Sequence, residues 1–215
     1  MPIRKIPKNY RNVTGIAAHS KAEGQAMFES TLERDFISLL EFDDEVERFE
    51  VQPLQLVWKD EDNKQRTYIP DVLAYYFGNN IKPTLFEVKY RDDLKKNWST
   101  LKPKFRAGIH FAKENNWKFK IITEVEIRTS YLASVKFLLP FVRKGPEEES
   151  HMQLLADKVR ELRQTTPASL LKAIFNDEWN QAKLLPTLWY LIGTRQLGVD
   201  LNQKLTMSSR IWSIC

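Results

Sequence analysis

Residues 69–89 read IPDVLAYYFGNNIKPTLFEVK. This stretch contains two apolar, strand-forming runs, and each run lies beside charged side chains. The first run, from Val72 to Phe77, follows Pro70-Asp71, and the second leads into Glu87-Val88-Lys89. β-Branched and aromatic residues favour strands, and successive side chains of a strand point to opposite faces. The acid and the lysine of Glu87-Val88-Lys89 are therefore predicted to share one face of a strand, with the valine on the other.

Two adjacent strands of this kind would bring the carboxylates of Asp71 and Glu87 together. Paired carboxylates form a hard oxygen site suited to Mg²⁺. A nearby ammonium group, here Lys89, can orient a water molecule and stabilise charge on a phosphate. Together these groups predict metal-assisted phosphodiester hydrolysis. The plainer interpretation is that Glu-x-Lys arises by chance and that an Asp after Pro marks a turn.

A third acid comes from the segment before these strands. Apolar residues between Phe28 and Leu40 recur at helical spacing, which predicts a helix over about residues 22–40. At 100° per residue, Glu29 and Glu33 both fall on or beside the buried face. Ser30-Thr31-Leu32-Glu33 also has the form of a capping box. Helical geometry does not choose between the two glutamates, or between a cap and a metal site.

The remaining patterns predict an α/β fold with a mixed central sheet flanked by helices. The stretch RKGPEEES at 143–150 is typical of a linker. Beyond it, three short helices and a terminal hairpin predict a small winged-helix-like domain. The expected domains are a basic N-terminal arm over 1–20, a catalytic domain over 21–145 and the C-terminal domain over 146–215.

The charge distribution indicates a polyanionic partner, most often a nucleic acid. The net charge is +5, and basic residues cluster in the N-terminal arm and in the middle of the chain, whereas the C-terminal domain is neutral. The interpretation without a function is a lysine-rich solvated surface. The predicted DNA-contacting residues are Arg4, Lys5, Lys8, Arg11, Lys95, Lys96, Lys102, Lys104 and Arg106.

Composition excludes several other classes of protein. The single cysteine, Cys215, excludes a disulfide framework and zinc sites built on paired cysteines. No apolar run reaches the roughly 18 residues that a membrane span needs, so no membrane association is expected. The basic N-terminus has no following apolar region, which argues against a secretory signal.

The order of these motifs resembles the restriction-endonuclease-like superfamily, whose signature is PD-(D/E)xK. The closer resemblance is to the TnsA family, endonuclease subunits of heteromeric cut-and-paste transposases. It rests on Leu32-Glu33, Glu50-Val51-Gln52-Pro53, Tyr68-Ile69-Pro70-Asp71 and Phe86-Glu87-Val88-Lys89. Roughly residues 20–140 resemble the family's N-terminal nuclease domain, and the remainder resembles its C-terminal domain.

The resemblance implies a Mg²⁺-dependent endonuclease, with Mn²⁺ a possible substitute, that cuts DNA at transposon ends. It places the catalytic set at Glu33, Asp71, Glu87 and Lys89, with the Val88 carbonyl as a further metal ligand. The implied partners are double-stranded DNA, a separate strand-transferring transposase subunit and an ATP-dependent transposition regulator bound through the C-terminal domain. The implied location is the bacterial cytoplasm, in association with the nucleoid.

Two alternatives stay open on the sequence. One is another nuclease of the same fold, such as a junction resolvase or a restriction-type enzyme. The other is a non-catalytic DNA-binding assembly subunit, in which Glu33 is a helix cap and Glu87 and Lys89 form a structural ion pair.

Overall fold

A computed structural model describes residues 15–17, 20–24, 26–60, 62–78 and 80–214 of the chain. The predicted DNA contacts Arg4, Lys5, Lys8 and Arg11 lie outside the described residues. The chain divides into two compact units between Ile127 and Arg128. The expected boundary at 145/146 falls within the second unit, between its first two helices.

The first unit is built from eight strands and three helices among the described residues. In chain order these are β1 (Gly15–Ala17), β2 (Ala26–Phe28), α1 (Thr31–Phe42), β3 (Val46–Val51), β4 (Leu56–Lys59), β5 (Gln65–Tyr68), β6 (Val72–Tyr76), β7 (Thr84–Val88), α2 (Arg91–Glu114), β8 (Lys118–Ile122) and α3 (Glu124–Ile127).

A mixed four-stranded sheet, in the order β3-β6-β7-β8, forms the centre of this unit. β6 is antiparallel to both β3 and β7, while β8 is parallel to β7 and connects to it through the crossover helix α2. All five residues of β7 are buried, as expected for an interior strand covered on both faces. The predicted mixed α/β sheet flanked by helices is therefore confirmed.

Helix α1 begins at Thr31, nine residues later than the sequence pattern predicts. Residues 26–28 instead pair as β2 with β1, and Gly24 has a positive φ of 83°. The side chain of Ser30 accepts a hydrogen bond from the Glu33 amide and caps the helix. Glu29 consequently precedes the helix, whereas Glu33 lies in its first turn.

Aromatic packing fixes α1 against the sheet. The rings of Phe36 on α1 and Phe86 on β7 have centroids 4.9 Å apart. Leu32 and Leu40, which flank Phe36 at helical spacing, are also buried. This apolar face packs against β7, the strand that carries Glu87. The packing brings the first turn of α1 towards the end of β7 at which Glu87 lies.

Over residues 128–214, the second unit contains four helices and a three-stranded antiparallel sheet. Its elements are α4 (Ser130–Lys144), α5 (Glu149–Leu162), β9 (Gln164–Thr165), α6 (Pro167–Ile174), α7 (Glu178–Gly193), β10 (Leu197–Val199) and β11 (Ile211–Ser213). The strands lie in the order β10-β11-β9. Gly198 faces the Trp212 indole so closely that a Cβ at this position would clash with its Nε1 atom. Within the part of the chain that is described, no helix could span a membrane.

Candidate active site

Asp71 lies at the junction of three strands, where main-chain hydrogen bonds fix its position. Its amide donates to the Phe86 carbonyl oxygen at 3.1 Å, and its own carbonyl accepts from the Gln52 amide at 2.9 Å. The Val88 amide then donates to Oδ2 of Asp71 at 2.7 Å. The carboxylate is therefore held by the end of β7, between Glu87 and Lys89.

The ammonium group of Lys89 lies among three oxygen atoms. Its Nζ is 3.3 Å from Asp71 Oδ2, 3.2 Å from Glu87 Oε1 and 3.0 Å from the Val88 carbonyl oxygen. Asp71 and Glu87 thus lie on the same side of the sheet, within reach of one cation. Two of the three oxygens belong to the carboxylates that the sequence pattern predicts as metal ligands, and the third is the Val88 carbonyl oxygen that the family resemblance adds.

Glu87 is almost fully buried, with 1% of its side chain exposed, and both of its oxygens have partners. Tyr68, the last residue of β5, donates its hydroxyl to Oε2 at 2.5 Å. Lys104, in the middle of α2, lies 3.0 Å from Oε1, the same oxygen that Lys89 contacts. A buried carboxylate is tolerated only with such compensation.

Glu33 takes part in the cap of α1, although its carboxylate accepts from the amide of Glu29 and not from that of Ser30, as a standard capping box requires. Its Oε2 accepts from the Glu29 amide at 2.8 Å, and its Oε1 accepts from the Ser30 hydroxyl at 2.9 Å. Glu29 Oε1 in turn accepts from the Gln52 side-chain amide at 3.1 Å. Gln52 is buried and has a positive φ of 50°, which is uncommon for a residue other than glycine.

The electrostatics of the site couple these groups. Burial, together with the negative charge of Glu87, raises the pKa of Asp71 to about 7. Burial also raises the pKa of Glu33. Burial alone would lower the pKa of Lys89, but the charges of Asp71 and Glu87 raise it above its ordinary value. The site is therefore a concentration of negative charge that favours a cation.

The oxygens of Asp71, Glu87 and Val88 suit an ion that completes its coordination with water, such as Mg²⁺. They suit less well an ion whose ligands all come from the protein. Among the described residues, no three His, Cys, Asp or Glu side chains are grouped so that they could hold an ion by themselves. Mg²⁺ in proteins commonly takes one or two carboxylates and completes its shell with water and substrate phosphate. Asp71 and Glu87, with the Val88 carbonyl, have that chemistry.

The predicted DNA-contacting residues of α2 do not share one environment. The side chains of Lys95, Lys96, Lys102 and Arg106 are exposed. Lys104 is directed towards Glu87 instead. Successive residues advance 100° around a helix, so Lys102 and Arg106 each lie about 200° from Lys104.

Two family models match the chain over most of its length. The model described as TnsA-like endonuclease N terminal matches residues 43–124, and the model described as TnsA endonuclease C terminal matches residues 126–201. The chain belongs to the TnsA endonuclease family. The junction between the two TnsA matches lies close to the structural division after Ile127. A search of curated proteins found no match.

The sequence pattern did not place Tyr68 or Lys104 beside Glu87, and it assigned Lys104 to DNA contacts. A signal for Lys104 was present, because it occurs at helical spacing between Leu101 and Gly108 and next to the buried Phe105. A lysine in an apolar stripe needs a partner. No comparable signal marked Tyr68, because its contact with Glu87 depends on how the β4–β5 hairpin lies against the sheet.

Proposed function

We propose that this TnsA-family endonuclease cuts DNA at transposon ends by Mg²⁺-dependent phosphodiester hydrolysis, as one subunit of a heteromeric transposase. The observation that carries the proposal is the convergence of Asp71 Oδ2, Glu87 Oε1 and the Val88 carbonyl oxygen on the Lys89 ammonium group. Three oxygens that already surround one cation form a suitable place for a divalent one.

In this proposal each residue of the site has a separate role. Asp71, Glu87 and the Val88 carbonyl would hold the metal ion, and Glu33 would hold or orient a second one. A bound Mg²⁺ supplies Lewis-acid polarisation of the phosphate and a more acidic water. Lys89, whose ammonium group contacts all three oxygens, would turn towards the scissile phosphate, orient the water and stabilise the developing charge.

The exposed basic side chains of α2 would contact the DNA backbone. Lys95, Lys96, Lys102 and Arg106 are accessible, and phosphate contacts of this kind set the position of DNA without reading its sequence. The same role is proposed for Arg4, Lys5, Lys8 and Arg11. Association with the nucleoid would follow from this DNA substrate.

The second unit would act as a winged-helix-like module that binds protein partners. Its order of helix α5, strand β9, helices α6 and α7, and the β10–β11 pair supports a winged-helix arrangement. Within this unit, residues 146–215 carry equal numbers of basic and acidic side chains, which argues against a strong DNA-binding role for that part. The partner proposed for this unit is an ATP-dependent transposition regulator. A separate strand-transferring transposase subunit would act on the DNA strands that this subunit does not cut.

The test is the Asp71→Ala variant, assayed with its partner transposase subunit, transposon-end DNA and Mg²⁺. Loss of strand cutting by this subunit, with the partner's own cuts retained, is expected. Asp62→Ala is the matched control, because Asp62 lies exposed in the β4–β5 turn and pairs only with Lys64 among the ion pairs described for it. Cutting at the wild-type level by Asp71→Ala would reject the assignment.

A metal titration separates the proposal from a non-catalytic assembly role. The wild-type protein should bind Mn²⁺ or Mg²⁺ at millimolar concentration or below, and Asp71→Ala should lose that binding. A protein with only structural ion pairs would show no difference between the two. Unaided cutting of branched DNA would instead favour a junction-resolving nuclease.

A further inference from the structure

Three side chains compensate the buried charge of Glu87. Tyr68, Lys89 and Lys104 reach it from three different elements: the end of β5, the residue after β7, and α2. Two ammonium groups on one carboxylate oxygen are redundant if both are structural. A second ammonium group matters if one of the two lysines moves away during the reaction, because the other then still compensates the charge of Glu87.

Lys104 is the lysine that the fold holds in place. Its Nζ lies 5.0 Å from the Tyr68 ring centroid and 5.1 Å from that of Phe105, distances at which a cation is attracted to the aromatic face. Only 24% of the Lys104 side chain is exposed, whereas Lys102 and Arg106 on the same helix are exposed. The rigid helix and both rings fix the ammonium group against Glu87.

Lys89 is held mainly by polar contacts with the site itself. Its Nζ contacts Asp71, Glu87 and the Val88 carbonyl, all of which are the oxygens of the proposed metal site. If Lys89 were the only cation beside Glu87, its departure would leave a buried charge unpaired, which is costly. With Lys104 and Tyr68 in place, Glu87 remains compensated when Lys89 moves.

We propose that Lys104 and Tyr68 are positioning residues that hold Glu87 in place and so leave the Lys89 ammonium group available for the scissile phosphate. This inference rests on the proposed nuclease function. It separates Lys104 from the other basic residues of α2, because Lys104 acts through Glu87 and they act on the DNA backbone.

The experiment compares Lys104→Met, Lys104→Arg and Lys102→Met in the assembled transposase with transposon-end DNA and Mg²⁺. Single-turnover cutting is measured over a range of DNA concentrations, which separates the rate constant at saturation from the concentration that gives half the maximal rate. Lys104→Met should lower the rate constant by about 10- to 100-fold, the usual effect of removing a residue that orients a metal ligand. Its half-saturating DNA concentration should stay near the wild-type value.

The two control variants should behave differently from Lys104→Met. Lys102→Met should act mainly on the half-saturating DNA concentration, and Lys104→Arg should recover most of the lost rate because it restores the charge beside Glu87. If Lys104→Met does not fold, as judged by thermal melting, Tyr68→Phe takes its place and should lower the rate constant without weakening DNA binding.

Three results would overturn the inference: a wild-type rate constant for Lys104→Met, an effect confined to DNA binding as in Lys102→Met, or an Arg variant no better than the Met variant. For Tyr68→Phe, a wild-type rate constant would do the same. Asp71→Ala, measured in parallel, identifies which idea fails. If Asp71→Ala is inactive while Lys104→Met is normal, only the positioning role is lost, whereas an active Asp71→Ala removes the proposed function itself.

Discussion

The Val88 amide donates a 2.7 Å hydrogen bond to Oδ2 of Asp71, across the junction of two antiparallel strands. Val88 stands between Glu87 and Lys89, so one residue of the Glu-x-Lys motif fixes the carboxylate of the Pro-Asp motif. The two halves of the sequence signature are thus joined by the backbone and not only by their charged groups.

The raised pKa of Asp71 predicts a pH-dependent stability for the metal-free protein. The pKa rises from 3.8 to about 7 on folding, so the folded state binds the proton more tightly and is the more stabilised state at low pH. The free energy of unfolding should fall as pH rises from about 4 to about 7, by up to about 1.4 kcal/mol per pH unit. Urea unfolding in EDTA at several pH values measures this.

The matched variant for this measurement is Asp71→Asn, which removes the ionisable group and nearly keeps its shape. Its stability should depend less on pH than that of the wild type over the same interval. Identical slopes for the two proteins would contradict the assignment of this titration to Asp71.

Ser30→Ala should weaken both the start of α1 and the position of Glu33. The Ser30 hydroxyl accepts from the Glu33 amide at 3.1 Å and donates to its carboxylate at 2.9 Å. Loss of such a cap typically costs about 1 kcal/mol. Cutting should also fall, because the carboxylate of Glu33 loses one of its two holding bonds. Chemical unfolding and the cutting assay measure the two effects.

Thr166→Ala provides a comparison for the cap alone. Thr166 caps α6 in the second unit by accepting from the Ser169 amide at 3.2 Å. A similar loss of stability with normal cutting is expected, and equal losses of cutting in the two variants would show that Ser30 acts only through stability.

Glu33→Gln and Glu29→Gln should differ in their effect on cutting. Glu33 lies in the first turn of α1, and its negative charge acts on both Asp71 and Lys89. We expect a loss of about 100-fold or more for Glu33→Gln, comparable to the loss of a charge-stabilising group. Glu29→Gln should cost about tenfold at most, as for a group that supports a ligand. A larger loss for Glu29→Gln would transfer the role of the helix acid to Glu29.

Gly108→Ala should disturb the packing of α2 against the sheet. A Cβ at this position would lie 2.7 Å from Cε2 of Phe119 and 3.1 Å from Cε1 of Tyr68. Overpacking of this kind costs about 1–3 kcal/mol, which exceeds the roughly 1 kcal/mol that Ala gains over Gly in a helix. Unfolding measurements should show a net loss of stability, and cutting should fall because the ring of Tyr68 shifts.

A double-mutant cycle with Phe119→Leu tests whether Phe119 is the obstacle. The smaller side chain should make the addition of the Ala methyl group less costly, so the two changes should not be additive. Additive losses would place the strain elsewhere.

The sequence was most informative where one physical constraint acts alone. Alternation of side chains along Glu87-Val88-Lys89 predicted that Glu87 and Lys89 share a face. In the structure the Lys89 ammonium group lies 3.2 Å from Oε1 of Glu87. The start of α1 was predicted wrongly, because apolar spacing around Phe28 fits both a helix and the short strand β2. Hydrogen bonding with β1, which spacing does not encode, decided between them.

The strand-forming residues on the two sides of Pro70 belong to two separate strands, β5 and β6. Pro70 lacks the amide hydrogen that would continue the ladder, so β5 pairs with β4 in a separate hairpin while β6 joins the main sheet. This break places Tyr68 near Glu87 and Asp71 at the sheet. The contact of Lys104 with Glu87 is equally non-local and depends on the path of the crossover helix.

That crossover also sets when the site can exist during protein synthesis. Asp71, Glu87 and Lys89 leave the ribosome before Lys104, and the amide of Lys89 bonds to the carbonyl of Ile122, at the end of β8. Until β8 has emerged and paired, β7 has an open edge and its C-terminal end lacks this anchor. A nascent chain that ends before β8 therefore lacks this anchor, which ties completion of the proposed site to synthesis of the whole four-stranded sheet.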